Sequence, residues 1–215
     1  MDYDLLSAQE LQTLASYEEI AAERAKHRSD AMWWNGAYHY LTSFVPTGCI
    51  LDIGCAHGRD AVLFKQNNTH HYVGIDISPA MLALAHSREP QSVFMRMNMH
   101  TLGFKSASFD GFWAAASLLH IPKYHISSVL AEIRRVMKPG AVGFIALREG
   151  DSEKMVIGNL RGDNRFFAFY CLEEFEHILT DNGFEVIMAD RDLREYNSQK
   201  PNNAWLTFFA RILYT

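Results

Sequence analysis

The sequence predicts an α/β fold, in which a doubly wound, seven-stranded, mostly parallel sheet ends in an antiparallel strand and is preceded by N-terminal helices. Short apolar, β-branched runs alternate with helical patterns from residue 46 onward. The first such run, in ILDIGCAHGRD at 50–60, enters a glycine-containing turn and then a helix. The last two runs have no helix between them, which favours an antiparallel pair at the edge of the sheet.

Composition and charge indicate one globular domain and disfavour several classes. A chain of 215 residues suits a single domain with a small appendage. Its net charge of −5 is a poor match for non-specific binding to nucleic acid or an anionic membrane, which needs a basic surface. The three cysteines form no CxxC pair, and the start MDYDLLSAQE lacks the apolar segment of a secretory signal, so we expect a cytoplasmic protein. The longest apolar run, FWAAASLL, is too short to span a bilayer.

Two helices are predicted ahead of the sheet. The first, over 5–27, is indicated by apolar residues that recur at helical spacing, namely Leu5, Leu6, Leu11, Leu14 and Ile20. The second is predicted over 31–44, AMWWNGAYHYLTSF, and ends before Pro46 and Gly48.

The central part of the chain alternates strands with helices. Strands are predicted at CILDI, HYVGID, SVFMRMN, SFDGFWAAA and AVGFIAL, between residues 49 and 147. Helices are predicted at RDAVLFKQ, SPAMLALAHS and YHISSVLAEIRRVMK. Ser78 is the expected N-cap of the second of these, with Pro79 at its first position. The KPG at 138–140 is a helix stop signal.

The C-terminal part lacks this alternation. CLEEFEHILTDNG at 171–183 predicts a helix closed by Gly183. FEVIMADRDL and NAWLTFFARILY predict two strands joined by the polar stretch REYNSQKPNN at 194–203. They are the antiparallel pair expected at the sheet edge.

The glycine turn and the end of the second strand together predict a site for an adenosine-containing ligand. Gly54 and Gly58 let a ligand approach the backbone at a helix N-terminus. Asp76 ends the second strand, where an acid can accept hydrogen bonds from both hydroxyls of a ribose. NAD and S-adenosylmethionine (SAM) both fit these features. Asp52 would repel a pyrophosphate but can hold an ammonium, which favours SAM.

These motifs are similar to those of the class I SAM-dependent methyltransferases. The resemblance rests on ILDIGCAHGRDAVLF, YVGIDISPAMLALA, SFDGFWAAASLLHIP, VLAEIRRVMKPGAVGFIAL and LTDNGFEV, in order and at normal spacing over 17–212. The chain most resembles the small-molecule enzymes of the ubiquinone/menaquinone-biosynthesis group. The resemblance implies a Rossmann-like fold, with residues 46–215 as the SAM-binding domain and residues 1–45 as a helical lid.

The resemblance also implies a role for individual residues. Those expected around the amino-acid part of SAM are Asp52, Gly54, Ala56 and Gly58, and Asp76 would bind the ribose hydroxyls. Those expected around the adenine and the methyl-donor channel are Ile77, Met81, Asn98, Met99, Ala115 and Ser117.

Two of these positions depart from the family pattern. Ala56 replaces the middle glycine, and we expect it to narrow the loop while the neighbouring glycines supply the unusual φ angles. Asn98 replaces the usual aspartate, and its amide oxygen can still accept from the adenine amine.

Candidates for the acceptor side follow from residue chemistry. His120 lies where the family often places a histidine facing the substrate, so it is a candidate base or substrate-orienting residue. Further candidate substrate contacts are Trp33, Trp34, Tyr38, Arg148, Arg161 and Arg165, together with the stretch RGDNRFFAFY. Core packing of the aromatic residues and solvation of the arginines are the alternatives. The histidines show no ligand spacing, and no metal is expected.

The predicted function is therefore methyl transfer from SAM to an N, O or C nucleophile of a small molecule. The place of the (N/D)PP(Y/F) motif of amino-methylating nucleic-acid enzymes reads AAAS here, so no nucleic-acid substrate is expected. A non-catalytic SAM-binding or partner-activating subunit and an NAD(P)-dependent oxidoreductase are the alternatives. Neither the methyl acceptor nor the oligomeric state follows from the sequence.

Overall fold

The computed structural model describes residues 3–26, 31–65, 69–192 and 204–213. The helices are α1 Ala8–Lys26, α2 Asn35–Phe44, α3 Ala61–Lys65, α4 Pro79–Arg88, α5 Lys123–Val136 and α6 Leu172–Asp181. The strands are β1 Gly48–Ile53, β2 His70–Asp76, β3 Val93–Arg96, β4 Phe109–Ala115, β5 Met137–Arg148, β6 Glu153–Ile157, β7 Asn164–Ala168, β8 Phe184–Asp192 and β9 Trp205–Ile212. A 3₁₀ turn, Ala31–Trp34, leads into α2.

The main sheet has seven strands in the order β3-β2-β1-β4-β5-β9-β8. The five strands from β3 to β5 pair in parallel, and β9 runs antiparallel to both of its neighbours. The predicted fold class and terminal antiparallel pair are thus confirmed. The predicted connection at 194–203 lies outside the described residues. Because β2 and β4 flank β1 on opposite sides, the strand order reverses at β1, which is where open α/β sheets place their ligands.

Apolar side chains cover both faces of the sheet. One face packs against α5 and α6, through residues such as Ile126, Leu130 and Phe175. The other packs against α2, α3 and α4, through residues such as Leu41, Phe64 and Leu82. Every central strand is therefore apolar on both sides, as expected for a buried parallel sheet.

Two predicted local features are confirmed and one is shifted. The Met81 N–H donates to Ser78 Oγ at 3.1 Å, which makes Ser78 the N-cap of α4. Gly183 follows α6 with a φ of 83°. The stop signal at 138–140 falls within the start of β5 rather than in α5, which ends at Val136. The pairing of β4 with β5 shifts register there, and proline is tolerated at such an irregularity.

The first helix is present, but the apolar residues that indicated it are buried only in part: Ile20 is 1% exposed, and others are not covered. Leu5 and Leu11 are 42% and 43% exposed, whereas Glu10, Thr13 and Ser16 are buried. The helix docks instead on a separate antiparallel hairpin, β6–β7, which the sequence did not reveal. It therefore meets the rest of the protein partly through polar side chains.

No helix among the described residues combines the length and apolar character needed to cross a membrane. Cys49, Cys55 and Cys171 are all free thiols.

Candidate active site

A cavity of about 360 Å³ lies at the carboxyl ends of β1, β2 and β4, beneath α1. The sequence-predicted residues that line it are Asp52, Gly54, Ala56, Asp76, Ile77, Met81, Asn98, Met99, Ala115, Ser117, His120, Arg148 and Arg165. Residues far apart in the sequence meet here because parallel strands end at a common edge. Gly58, Trp33, Trp34, Tyr38 and Arg161 do not line this cavity.

The loop after β1 is held open by the carboxylate that ends β2. Asp76 Oδ2 accepts the Ala56 N–H at 2.8 Å, and its Oδ1 accepts the Ser78 N–H at 2.9 Å. Burial raises the pKa of Asp76, while these amide hydrogen bonds act in the opposite direction. The carboxylate retains acceptor sites, because its two oxygens offer about four lone pairs.

Ala56 takes up the unusual backbone conformation itself. Its φ is 46°, between Gly54 at 75° and Gly58 at 70°. The expectation that the neighbouring glycines supply such angles is confirmed, and Ala56 adopts one in addition. The left-handed region costs a non-glycine residue about 1–2 kcal/mol, and here the Asp76 carboxylate fixes the strained peptide. Ala116, at the end of β4, is similarly left-handed with a φ of 63°.

The two loop glycines have different roles. A Cβ on Gly54 would lie 2.5 Å from the Ser117 Cβ, so glycine lets the β1 and β4 loops approach each other at the cavity. A Cβ on Gly58 would instead meet the Phe94 ring at 2.9 Å and the Ala85 Cβ at 3.0 Å. Gly58 is therefore needed for packing behind the loop and does not face the cavity.

Asp52 is a buried acid at the floor of the cavity. Its Oδ2 accepts the Tyr72 hydroxyl at 2.6 Å. Burial, with further repulsion from Asp60, raises the pKa of Asp52 well above its usual value. Asp60 itself pairs with Arg59 at 2.8 Å and accepts the Trp113 indole N–H at 3.1 Å. A cation bound in the cavity would favour the ionised form of Asp52.

Asn98 is fixed by the turn that follows β3. Its Oδ1 accepts the His100 N–H at 3.0 Å, so part of the acceptor capacity expected for a ligand amine is already used inside the protein. Met99 and Ile77 line the cavity together with it. The apolar side chains of Ile77 and Met99 provide a non-polar contact surface beside Asn98.

His120 has a partner at each ring nitrogen. Nδ1 lies 2.6 Å from the Phe166 carbonyl oxygen, which only accepts, so Nδ1 carries the proton. Nε2 therefore accepts the Tyr17 hydroxyl at 2.9 Å, and the Tyr17 oxygen accepts Arg165 Nη1 at 3.0 Å. Burial and the nearby Arg165 lower the pKa of His120 to about 3. As placed here, His120 joins α1 to β7 and presents no free nitrogen to a substrate, contrary to the predicted base.

This burial of a neutral histidine has a consequence for stability. Because the folded pKa of about 3 lies below the ordinary value of 6.5, the unfolded chain binds the proton more readily between these limits. The His120 contribution is complete above pH 6.5 and decreases as the pH falls toward 3. We expect the free energy of unfolding of the wild type, relative to a His120→Gln variant, to fall by about 1.4 kcal/mol per pH unit below that point.

Urea unfolding of both proteins between pH 7.5 and 5 measures this difference. His177→Gln, which changes an exposed histidine on α6, is the matched control and should show a pH dependence close to that of the wild type. A constant difference between wild type and His120→Gln across this range would contradict the assignment of a neutral His120.

The predicted substrate residues divide into two groups. Trp34 and Tyr38 are 2% and 1% exposed and pack with Phe144 and Phe64 in the core beneath α2, so the structure favours the core-packing alternative for both. Trp33 packs edge-on against Trp34. Arg161 is exposed in the β6–β7 turn and does not reach the cavity.

Two of the predicted arginines do line the cavity. The Arg148 guanidinium lies 3.8 Å from the centre of the Trp205 ring, which holds it flat at the end of β5. Arg165 is bound by Asp163, with Nε at 2.5 Å from Oδ1, and also donates to Tyr17. Both line the cavity, Arg148 from the end of β5 and Arg165 from β7.

The sequence analysis missed the polar face of α1. Thr13 Oγ1 accepts the Phe166 N–H at 2.9 Å, and Ser16 Oγ accepts the Asn164 N–H at 3.0 Å, so both extend the edge of β7. Glu18 accepts hydrogen bonds from Ser78 Oγ and from the Ala80 N–H. Tyr17, four residues after Thr13, faces the cavity from the same side of the helix. The helical spacing of Thr13, Ser16 and Tyr17 in the sequence could have indicated that this polar side of α1 faces the protein.

Comparison with known proteins places this geometry in a family. A methyltransferase domain model matches residues 50–140, which contain the glycine loop and Asp76. The O-methyltransferase rstn1 of Aspergillus nomiae is 29% identical over 162 residues, or 71% of each chain. The ubiquinone/menaquinone biosynthesis C-methyltransferase of Bartonella quintana is 25% identical over 175 residues, or 77% of this chain and 65% of that one. The chain thus spans about two thirds of the length of this second relative.

A solved structure shares the fold. The 1,6-didemethyltoxoflavin-N1-methyltransferase of Burkholderia thailandensis, solved with its substrate and S-adenosylhomocysteine (SAH), superposes with a TM-score of 0.72 at 20% identity. The alignment covers 97% of this chain and 92% of that chain. In its fold, its matched domain and its relatives, this chain is similar to the class I SAM-dependent methyltransferases. Its cofactor is accordingly SAM.

The residues present fit this cofactor. Ser117 Oγ is buried at the cavity and has no hydrogen-bond partner among the described residues, so it can bond a ligand. Asp52 has a raised pKa that an ammonium would counteract. The absence of a side chain on Gly54 leaves the backbone open to the cavity. These three features suit an amino-acid head group better than a pyrophosphate.

Proposed function

We propose that this protein transfers a methyl group from SAM to an N, O or C nucleophile of a small molecule. The observation that carries the proposal is the cavity of about 360 Å³ beneath α1, together with the spread of its lining across the sheet. The lining runs from Asp76 at the end of β2 to Arg148 at the end of β5 and Trp205 at the start of β9, and β1 and β4 lie between β2 and β5. We assign the side toward β5 and β9 to the acceptor and call it the acceptor end, which a non-catalytic SAM-binding subunit would not need.

Each end of the cavity has a distinct task in this proposal. Asp76 holds the ribose hydroxyls, and Asp52 holds the ammonium, directly or through water. Bound SAM supplies an electrophilic methyl group, so the protein contributes mainly proximity and alignment. Ala115 and Ser117, at the end of β4, lie between the two ends and border the path of transfer.

The size of the acceptor follows from the position of α1. This helix closes the cavity through Thr13, Ser16 and Tyr17, and we propose it as the lid within residues 1–45. A nucleic acid would have to displace it, and the net charge of −5 gives no general attraction for phosphate. The relatives include the 27-O-demethylrifamycin SV methyltransferase of Amycolatopsis mediterranei, whose name supports a small acceptor, and also an 18S rRNA methyltransferase of Saccharomyces cerevisiae that matches 33% of this chain. The three free thiols support a cytoplasmic location.

The arginines indicate an acceptor that carries negative charge or an acidic hydroxyl. Arg148 and Arg165 face the acceptor end, and both stack on aromatic rings. The His120 ring nitrogens are already bonded, so no proton transfer is assigned to this residue. A phenol or enol stabilised by a nearby guanidinium would ionise without a dedicated base.

The proposal is tested by comparing metabolites before and after reaction. Purified protein is incubated with SAM and a small-molecule extract, and mass spectrometry searches for compounds that gain one methyl group. The expected result is a methylated product that is absent when SAM is omitted. Methylation confined to added RNA or protein would contradict the proposal.

Arg148→Gln tests the acceptor end separately. With the acceptor identified in this way, we expect KM for the acceptor to rise about 10- to 100-fold, because a hydrogen bond to a charged group contributes about 1.5–3 kcal/mol. The KM for SAM should change little. Arg161→Gln, an exposed arginine outside the cavity, is the matched control. Equal acceptor KM values for the two variants would remove Arg148 from the acceptor site.

A further inference from the structure

A cluster of three metal-ligating side chains lies where α1 begins, beside the cavity. Glu10, His100 and His125 place one ligand atom each within 4.8 Å of one another. His100 Nε2 is 2.5 Å from Glu10 Oε1, and His125 Nδ1 is 3.5 Å from Glu10 Oε2. The two imidazole rings meet edge to face with centroids 5.0 Å apart. The three residues belong to α1, the loop after β3 and α5.

The other contacts of Glu10 and His125 orient these side chains and still leave atoms that can bind a metal ion. Ser7 donates its N–H and its hydroxyl to Glu10 Oε2, at 2.8 and 2.7 Å, and this holds the carboxylate in one orientation. His125 Nδ1 is a buried atom without a hydrogen-bond partner among the described residues. A buried imidazole nitrogen that faces a carboxylate from beyond hydrogen-bonding distance can be satisfied by a cation between them.

We propose that Glu10, His100 and His125 bind a divalent transition metal ion, with Zn²⁺ as the favoured occupant. Two imidazole nitrogens and one carboxylate oxygen match the ligand preference of Zn²⁺, whereas Ca²⁺ and Mg²⁺ prefer oxygen alone. Zinc–ligand distances of about 2.0–2.2 Å require the three atoms to lie about 3.3 Å apart, so His100 and Glu10 need only separate by about 1 Å. The His125 side chain is 30% exposed, which leaves access for the ion and for a water ligand.

The position of the site gives the ion a structural role. Glu10 is on the lid helix, and the two histidines are on the body of the protein. A bound ion would therefore tie the start of α1 to the loop that follows Asn98 and to α5. Binding to the closed, folded form alone would raise stability in proportion to the logarithm of metal concentration. This proposal departs from the sequence prediction of no metal, because the three residues are distant in the chain and share no local motif.

Calorimetric titration of the full chain with ZnCl₂, after removal of metals with a chelator, tests the proposal. Wild type should bind one ion, and His125→Gln should bind it at least about 100-fold more weakly, since changes in outer-shell partners alone cost about 10- to 100-fold. His177→Gln, an exposed histidine on α6, is the matched control and should keep the wild-type affinity. Because His125 is partly exposed, its substitution should leave the apo protein folded, which circular dichroism verifies.

Co²⁺ provides a second readout that does not depend on activity. Wild type with CoCl₂ should show visible ligand-field absorption, and His125→Gln should not. Failure of wild type to bind Zn²⁺, or equal binding by His125→Gln, would overturn the proposal. Either failure can be told apart from failure of the proposed methyl transfer, because Glu10, although it lines the cavity, is assigned neither to SAM nor to the acceptor.

Discussion

Asp76→Asn is expected to weaken SAH binding about 100-fold, measured by isothermal titration calorimetry. In the proposed complex the carboxylate accepts both ribose hydroxyls, and hydrogen bonds to a charged group contribute about 1.5–3 kcal/mol each. Loss of about 3 kcal/mol corresponds to roughly 100-fold in affinity. Asparagine has nearly the same shape as aspartate but is neutral and has only one acceptor oxygen. The substitution therefore tests the charge and the hydrogen bonds while the size of the side chain stays the same.

The substitution also acts through the loop. Asp76 uses both oxygens for the Ala56 and Ser78 amides, and the NH₂ of asparagine would oppose one of these donors. Part of the loss of affinity will therefore come from a disordered glycine loop, and a modest drop in melting temperature should accompany it. Asp76→Ala would remove both contacts and is expected to be less stable still.

Asp110→Asn is the matched control for Asp76. Asp110 also accepts a backbone amide, the Cys49 N–H at 2.9 Å. It lies at the start of β4, however, and the cavity lies at the opposite, carboxyl ends of the strands. Its substitution should leave SAH affinity unchanged. Similar loss of affinity in both variants would mean that Asp76 acts through general stability, and unchanged affinity in Asp76→Asn would remove it from the ribose site.

Gly54→Ala is expected to destabilise the fold by about 3 kcal/mol and to abolish measurable SAH binding. A φ of 75° costs an alanine about 1–2 kcal/mol, and its methyl group would lie 2.5 Å from the Ser117 Cβ. Relieving that contact requires a shift of the β1 or β4 loop, and overpacking of this kind costs about 1–3 kcal/mol. Urea unfolding measures the first effect and calorimetry the second.

Gly36→Ala controls for the loss of a glycine as such. Gly36 is in α2 with no atom within 4 Å of an added Cβ, so alanine should stabilise the helix by about 0.5–1 kcal/mol. SAH affinity should remain that of the wild type. Wild-type stability and affinity in Gly54→Ala would show that the close approach to Ser117 is not required.

Local patterns were sufficient to predict the sheet and the cofactor end of the site. Asp76 is the last residue of an apolar strand and comes shortly before a capped helix. Its position at the strand end could therefore be predicted without any knowledge of tertiary contacts. The same holds for Gly54, whose turn is fixed by the strand before it and the helix after it. Ser78 was predictable as an N-cap for the same reason.

The packing of the lid helix could not be predicted in this way, because the buried face of α1 depends on the β6–β7 hairpin, which is distant in the sequence. Thr13 and Ser16 are buried because β7 offers free edge groups to α1, and Glu10 is buried where it meets His100. The hairpin itself is weakly marked, since four of the five residues of β6 are exposed. Without the hairpin, the leucines of α1 were the natural face to bury, yet Leu11 is exposed in the structure.

The type of a residue was also not enough to tell whether it belongs to the buried interior or to the candidate active site. Trp34 and Tyr38 have the aromatic character of a substrate wall, yet the packing of α2 places them against Phe144 and Phe64. His120 has the chemistry of a base, but its environment supplies a carbonyl and a hydroxyl that occupy both nitrogens. In each case the decisive contact comes from a distant part of the chain.

The most direct test of methyl transfer in this cavity is a labelled-methyl partition experiment. Wild type and Asp76→Asn are incubated with methyl-labelled SAM and a whole-cell extract, which is then separated into small molecules, protein and nucleic acid. The result expected is label in the small-molecule fraction with wild type and a strongly reduced amount with Asp76→Asn. Label found only in protein or nucleic acid, or equal transfer by the two proteins, would contradict a small-molecule methyltransferase that binds its donor at Asp76.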